Sequence, residues 1–548
     1  MSREQSSTLF VRAATGLVRA WSVTDAFIYA FFSINLITLG LYIFSQMYFF
    51  EGNLMGALIV SAIFITFECI VYAALIAVMP RAGGDYVWQS RILGGGVGFI
   101  LAVTGWWFIL WYWVPLYSDM LRFEFFTPLL AILGAPGAAV WFTQESLGSF
   151  VSIVVVCVLV FLYIAIGMKN YAKVQKVCFY GGLVGLLIVF VLLLVGNNAG
   201  FKAGLEAQAG ALFGAQGAGL YDATMAAGQS EAVGAYNSWS WGLGPIFLAI
   251  PYLVFFNLWP NWGATLYGEV RGATDFKRNF QGMFYALVAT TILGIVLFLL
   301  IKKTITWEFY YNANGAFWAN RWGYSEAAPP LPVWPYPAML AAMISNSRVL
   351  QFIVILLMSL WFFGWSGTVF LSSTRVIFAA AFDRLLPEWV ADVHPRLRTP
   401  INALLLMVIP SLIVGALYAW NIFNFQSLTL CSTLVIAVTY LGSTVAAILL
   451  PYIKKDLYNA SPIAKYKVAG VPLITVAGII FLLFLLYLLV QWLIDPNNLY
   501  GISYRNTSSV IFMLAMYVLA AVIYFGFRAY RKRQGIDIDK VYREIPVE

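Results

Sequence analysis

Apolar residues run along this chain in long blocks separated by shorter polar stretches that hold most of the charge. A helix of about 20 apolar residues crosses a hydrocarbon core roughly 30 Å thick. Backbone amides and carbonyls in lipid need partners within their own segment, so such blocks are helices. A membrane β-barrel would read instead as short segments of alternating polarity. Twelve spans are predicted: Ser22–Tyr48, Leu54–Met79, Gly95–Tyr117, Ser149–Gly167, Val177–Gly196, Gly242–Tyr267, Phe280–Ile301, Val349–Ala380, Ile401–Trp420, Phe425–Leu450, Val471–Ile494 and Thr507–Phe527.

Charge placement gives these spans a direction. With the N-terminus in the cytoplasm, 25 of the 32 Lys and Arg residues fall in inner segments and 7 in outer ones. That is the bias expected of cytoplasmic loops, and omitting or adding one span would scramble it. Both termini are therefore expected in the cytoplasm. The basic tail after Phe527 is expected on the inner leaflet, whose anionic lipids attract it. Three outer segments are long: Ser118–Gly148, with room for a re-entrant or surface helix, the Gly- and Ala-rich Asn197–Trp241, and the Pro- and aromatic-rich Lys302–Arg348.

Composition agrees with a membrane protein. The chain is 62% hydrophobic and 10% charged, against about 25% charged in soluble proteins. The net charge of +8 reads as topology, not as a nucleic-acid surface, because the basic residues lie between apolar blocks. Cys69, Cys157, Cys178 and Cys431 all lie inside apolar blocks, so no disulfide framework or CxxC metal site is expected. A single histidine, His394, in a polar loop speaks against haem, a His-ligated metal or a histidine proton relay. The N-terminus has no compact apolar core with a small-residue cleavage site, so no cleaved signal peptide is expected.

The sixth span, GLGPIFLAIPYLVFFNLWPNWGATLYGEV, carries Pro245, Pro251 and Pro260 together with Asn257 and Asn261. Interior proline removes a backbone hydrogen bond and crowds the preceding turn. In a bilayer, broken helix is tolerated where it lines a protein cavity. The first span repeats the theme more weakly, with Ser33, Asn35, Thr38 and Gly40 in YAFFSINLITLGLYIF. Phe31-Phe32-Ser33-Ile34-Asn35 and Phe255-Phe256-Asn257-Leu258-Trp259 both stand at mid-span. Paired interrupted helices in two halves of a chain are the pattern of a transporter binding site.

MPRAGGDYVWQSRILGGGVGF after the second span resembles the signature of the amino acid–polyamine–organocation (APC) superfamily. SSTRVIFAAAFDRLLPEWVADVHPRLRTPINALLL after the eighth and GEVRGATDFKRNF after the sixth are similar to that superfamily's corresponding stretches. The resemblance covers nearly the whole chain. It implies an all-α membrane fold of twelve helices, built as a five-plus-five inverted repeat (22–196 and 242–450). Two further helices (471–527) follow, with cytoplasmic segments at 1–21 and 528–548. It also implies a secondary amino acid permease of the cell membrane. Substrate would lie between the breaks, at Ser33, Ile34, Asn35 and Leu36 of the first helix and Phe255, Phe256, Asn257 and Trp259 of the sixth. Trp365 of the eighth helix would meet the substrate's side chain. Bare amides at a half-helix N-terminus attract a carboxylate, and bare carbonyls at a half-helix C-terminus attract an ammonium. This chain departs from the family where Ser33-Ile34-Asn35 replaces a glycine cluster and Trp259-Pro260 replaces a Gly-aromatic pair.

Coupling has two candidates. A sodium ion would need hard oxygen ligands, which Ser366 and Thr368 offer; the alternative is that these hydroxyls bond their own helix. A proton would need a titratable group, and Glu68 lies mid-span, where an acid is costly and therefore a functional candidate; the alternative is a neutral acid bonded to a neighbouring helix. Some relatives carry a lysine in the fifth helix; here the aligned positions are Gly181 and Gly182, with Lys176 one or two turns earlier. Asp25, after Ser22 and Thr24, reads as a helix cap. Pro80, Gly83 and Gly84 are expected to form a tight inner turn. Arg375 and Asp383 read either as an inner gate or as a solvated loop pair.

No cofactor is expected beyond a coupling sodium ion or proton. The spans contain no nucleophile motif, carboxylate dyad or histidine cluster, and no GxxxxGK[ST] loop for an ATP-driven pump occurs. The expected partners are a small amino acid and the lipid bilayer, with oligomeric state left open. A polyamine, amine or nucleobase is the alternative substrate. A polyamine needs acids in the cavity, where Glu68 is the one on offer, and this favours a zwitterion.

Overall fold

The computed structural model describes residues 21–46, 52–231, 241–397, 399–495 and 499–543. Arg3, Arg12, Arg19 and Arg398, and the expected end of the first span at Tyr48, lie outside these. Among the described residues twelve helices are long and apolar enough to cross a membrane: Val23–Ser45, Leu54–Val78, Gly95–Ile132, Ser146–Ala165, Met168–Val195, Leu243–Glu269, Phe276–Thr304, Arg348–Phe382, Ile401–Ala419, Ile422–Ile453, Leu473–Ile494 and Thr507–Arg533. They are called the first to twelfth helices below, and each matches one expected span.

Three limits differ for physical reasons. The third helix runs to Ile132 and not Tyr117, passing through wide turns at Thr104–Phe108 and Arg122–Phe126. Its polar residues Asp119 and Arg122 pair with each other in the interior (2.5 Å), so they do not end it. The fifth begins at Met168, carrying Lys169, Lys173 and Lys176 on helix rather than loop. The twelfth continues to Arg533, and the segment after it folds back onto the protein. Arg528 pairs with Asp539, and the Tyr542 ring lies under Arg91. The expected tail on the leaflet is thus docked on protein as far as residue 543.

The packing pairs the two halves of the chain. The second helix packs on the seventh and the fourth on the ninth. First-on-seventh contact is matched by sixth-on-second, and fifth-on-eighth by tenth-on-third. Neighbouring side chains supply the hydrogen bonds that prolines remove. Pro251 frees the Phe247 carbonyl, which accepts the Tyr487 hydroxyl of the eleventh helix (2.5 Å). Pro410 frees the Leu406 carbonyl, which accepts the indoles of Trp107 (3.3 Å) and Trp111 (3.2 Å). These partners are what makes broken helix tolerable at membrane depth.

Candidate functional site

The first helix is regular from Val23 to Ile34 and breaks at Asn35, which is left-handed at φ 46°. Asparagine tolerates this conformation because its short amide bonds locally. Here the side-chain oxygen accepts the Thr38 amide (3.0 Å), and the NH2 donates to the Trp361 carbonyl of the eighth helix (3.1 Å). The Asn35 carbonyl accepts from both Leu39 and Gly40, which widens Leu36–Gly40 into a π turn; such turns concentrate at functional sites. Leu36 and Ile37 open the second half-helix, where amides have no partner within the helix. Ser33 donates to the Tyr29 carbonyl of its own helix (2.8 Å).

The sixth helix is α-helical from Leu243 to Asn257, loses its regular pattern through Pro260, and resumes as a 3-10 turn at Trp262–Glu269. The Trp259 indole turns back to the Phe255 carbonyl (2.6 Å), and the Asn257 amide donates to Ser61 of the second helix (2.7 Å). Phe255 and Phe256 diverge. Phe255 stacks on Trp113 of the third helix (5.5 Å, 8°), and Phe256 lies against Phe44 (5.3 Å). A Cβ on Gly40 would stand 3.1 Å from the Phe256 ring, so the half-helix beyond the first break rests directly on the sixth.

Aromatic rings close the space around the second break. Trp259 and Trp262 meet Trp113 edge-on and tilted (5.2 and 5.4 Å), and Trp106 lies 4.6 Å from Trp262. Trp365 stacks on Tyr117 (3.6 Å), whose hydroxyl meets the Thr368 hydroxyl (3.3 Å). Beside Pro260 a cavity of about 10 Å³, bordered by Tyr29, Ala30 and Gly263, remains open; this is about the size of one water. Trp106, Trp113, Asn261 and Tyr117 belong to this wall and were not among the expected site residues. The run TGWWFILWYWVPLY in the third span carried the signal of the three aromatic residues, and Asn261 stands in the proline-broken stretch of the sixth.

The candidate coupling residues separate. Ser366 donates to the Phe363 carbonyl of its own helix (3.3 Å), and Thr368 bonds Tyr117. Glu68 is fully buried in the second helix with neither oxygen hydrogen-bonded. Lys176 pairs with Asp25 (2.8 Å), which also forms a reciprocal cap with Ser22. In the fifth helix Gln175 and Tyr171 face inward and both donate to the Gly364 carbonyl (3.0 Å each), at the bend of the eighth helix. A second buried acid, Glu124, accepts from Thr38 at the first break (3.0 Å).

On the basic face, Arg375 and Asp383 do not pair, and neither is solvated. Arg375 binds Glu269 at the end of the sixth helix (2.8 Å), and Asp383 binds Arg91 (2.5 Å), with all four side chains buried. The pairing expected between them, and its solvated alternative, are thereby corrected; chain topology supplies each with a partner far away in sequence. The entry to the first helix joins the exit of the sixth through Trp21 N–H to Glu269 O (3.2 Å) and Arg271 N–H to Trp21 O (3.0 Å). The turn at Pro80–Gly84 takes the shape expected of it. Gly83 donates to the Thr265 carbonyl (2.8 Å), and a Cβ on Gly84 (φ 39°) would lie 2.9 Å from the Ala264 carbonyl. Gly84→Ala should therefore lower the thermal midpoint in detergent and weaken uptake, with about 1–3 kcal/mol of backbone strain. An unchanged midpoint would show that this turn yields freely. Over the opposite face, Trp318 of the helix Trp307–Arg321 donates to Ser45 (3.0 Å) and packs edge-on against Tyr42 (5.5 Å).

A family model described as amino acid permease matches residues 25–523. No curated protein matches the chain significantly.

Proposed function

Since the chain belongs to this amino acid permease family, it is a multi-pass membrane transporter for a small molecule and not an enzyme, and we propose that it carries amino acids across the cell membrane by alternating access. The observation that carries this reading is the pair of interrupted helices. The first opens at Asn35 and the sixth at Leu258–Pro260, and Gly40 lies against Phe256 between them. The amides of Leu36 and Ile37 suit a carboxylate. The carbonyls of Phe256 and Asn257, at the end of a half-helix, suit an ammonium. Ser33, Ile34, Trp259 and Trp365 complete the proposed site.

The matched contacts of the two halves, first-on-seventh with sixth-on-second and fifth-on-eighth with tenth-on-third, support a five-plus-five repeat. Corresponding helices stand five places apart in the order of spans, an odd number that reverses their direction through the membrane and makes the repeat inverted. The Lys and Arg distribution supports cytoplasmic termini. The Glu269–Arg375 pair then closes the cytoplasmic side, and Trp318 closes the outer side. Transport is proposed to be driven by an ion gradient or by exchange.

A second reading has an observation of its own. Glu124 and Asp85 join Glu68 as buried acids, none of them in an ion pair among the described residues. That favours an amine or polyamine more than the sequence alone did.

Counterflow of labelled amino acids in proteoliposomes tests the first reading. Wild type should show saturable, substrate-stimulated exchange. Asn257→Leu, which removes the link to Ser61 and a polar group beside the break, should lose uptake by a factor of about ten or more while the protein still purifies as a monodisperse species. Undiminished uptake by this variant would take Asn257 out of the site.

A further inference from the structure

Around the inner side of the second break lies a set of buried polar atoms that the substrate site does not use. Glu68 and Asp85 are both 0% exposed. Glu68 belongs to the second helix, and Asp85 begins the short helix Asp85–Ile92 that leads to the third. Asp85 Oδ1 accepts the Tyr72 hydroxyl (2.7 Å) and the Ser443 hydroxyl of the tenth helix (2.6 Å). Its Oδ2 and both oxygens of Glu68 have no hydrogen-bond partner. Tyr72 stands one turn beyond Glu68 on the same helix face. Its ring packs on that of Tyr440 (5.5 Å). Tyr440 lies within electrostatic reach of both acids and beside Asn261.

Two ionised carboxylates cannot share this space cheaply. No Lys or Arg pairs with either acid among the described residues. The other titratable groups facing them are Cys69 and Tyr72 from the second helix and Tyr440 from the tenth, all neutral acids rather than cations. A buried charge with no counter-ion costs several kcal/mol, and like charges in one site drive one of them to hold a proton. A metal ion fits less well. The hydroxyls of Tyr72 and Ser443 already direct their hydrogens at Asp85, and no group of three His, Cys, Asp or Glu suited to a metal occurs among the described residues.

We propose that Glu68 and Asp85 together hold one exchangeable proton, and that this proton is the ion coupled to transport. The proposal rests on the transporter reading above and deepens it. The proton binds a carboxylate oxygen, and the pair passes from two negative charges to one; no covalent bond changes. Tyr440 lies near both acids and near Asn261, next to Trp262 at the break in the sixth helix. Neither the Tyr440 hydroxyl nor the Asn261 amide has a hydrogen-bond partner among the described residues in this conformation. Loading the proton removes repulsion beside that break and favours the ring packing seen around it. Releasing it favours the open state, so the gradient is read where the substrate sits.

Burial pushes Asp85 up to about 6, from the usual 3.8, against the opposing hydrogen bonds of Ser443 and Tyr72. The folded state therefore holds a proton that the unfolded chain has already released, and stability falls as pH rises from about 4 through about 6.

The test uses the purified full chain without substrate. Infrared difference spectra between acid and alkaline pH should show a protonated-carboxyl C=O band that is lost or shifted in Glu68→Gln and in Asp85→Asn. The decline of the thermal midpoint with pH should flatten in both. Tyr72→Phe keeps both acids but removes a hydrogen bond that favours the ionised form, so its midpoint-versus-pH curve should move to higher pH by up to about one unit; this variant decides the matter if the other two fail to fold. A pair that holds no exchangeable proton would leave the band and the curve of Tyr72→Phe where wild type has them, and stabilisation by sodium at fixed pH would assign the site to a metal ion; either result overturns the proposal. Because substrate is absent throughout, failure of amino acid transport would leave these results intact, and their failure would leave amino acid transport standing.

Discussion

Glu269→Gln is expected to destabilise the protein by about 3–5 kcal/mol and to abolish uptake. The Arg375 guanidinium is fully buried and its partner carboxylate nearly so, at 0% and 3% exposure. Removing one member of such a pair leaves the other charge buried without compensation. The guanidinium donates to both carboxylate oxygens (2.8 and 3.3 Å), and the Glu269 backbone carbonyl also receives the Trp21 amide. The change therefore strikes the junction of the first, sixth and eighth helices together. A fall in the thermal midpoint, with loss of proteoliposome uptake, checks it. Replacing both members with apolar residues should recover much of the stability and none of the gating, since a dry pair is often no better than a well-packed apolar one. A wild-type midpoint in Glu269→Gln would show that the pair carries little energy.

The second large effect is expected from Asn35→Leu. Leucine in the left-handed region costs about 1–2 kcal/mol more than a residue that visits it routinely. It also removes the amide cap on Thr38, worth about 1 kcal/mol, and leaves the buried Trp361 carbonyl without its donor, a further 1–3 kcal/mol. Together these favour straightening the first helix by about 3 kcal/mol or more, which is a hundredfold shift against the broken form. Uptake should fall by about that factor. Asn35→Gly, which keeps the backbone conformation accessible but not the hydrogen bonds, should fall less. Equal losses in the two variants would mean that the hydrogen bonds, not the backbone shape, are what matters.

Much of the architecture was readable in the chain because membrane solvent imposes a simple code. All twelve helices follow from apolar length, and the break in the sixth from Pro260. The break in the first was legible in Asn35, whose short amide both permits and caps a left-handed turn. What stayed hidden depends on pairings set by topology. Arg375 and Asp383 are eight residues apart in sequence and looked like partners, yet Glu269 and Arg91 claim them from other helices. The third helix was cut short at Tyr117 because Asp119 and Arg122 look like loop residues until they neutralise each other inside the fold. Trp113 and Tyr117 read as generic aromatic span residues; only their stacking on Phe255 and Trp365 makes them walls of the site. Asp85 sat in a loop motif, and its nearness to Glu68 emerges only when the inner turn folds under the sixth helix.

Bare peptide groups at the two helix breaks are proposed to hold a zwitterion. Ligand-induced stabilisation of the purified protein tests it, because a ligand that binds only the folded state at about 100 times its Kd adds roughly 2.7 kcal/mol. A series of α-amino acids should be compared with the same molecules lacking the carboxylate and with those lacking the amine. One or more intact amino acids should raise the thermal midpoint, both truncated forms should fail to, and Asn35→Leu should abolish the response. Equal stabilisation by the amine alone, or an undiminished response in Asn35→Leu, would contradict it.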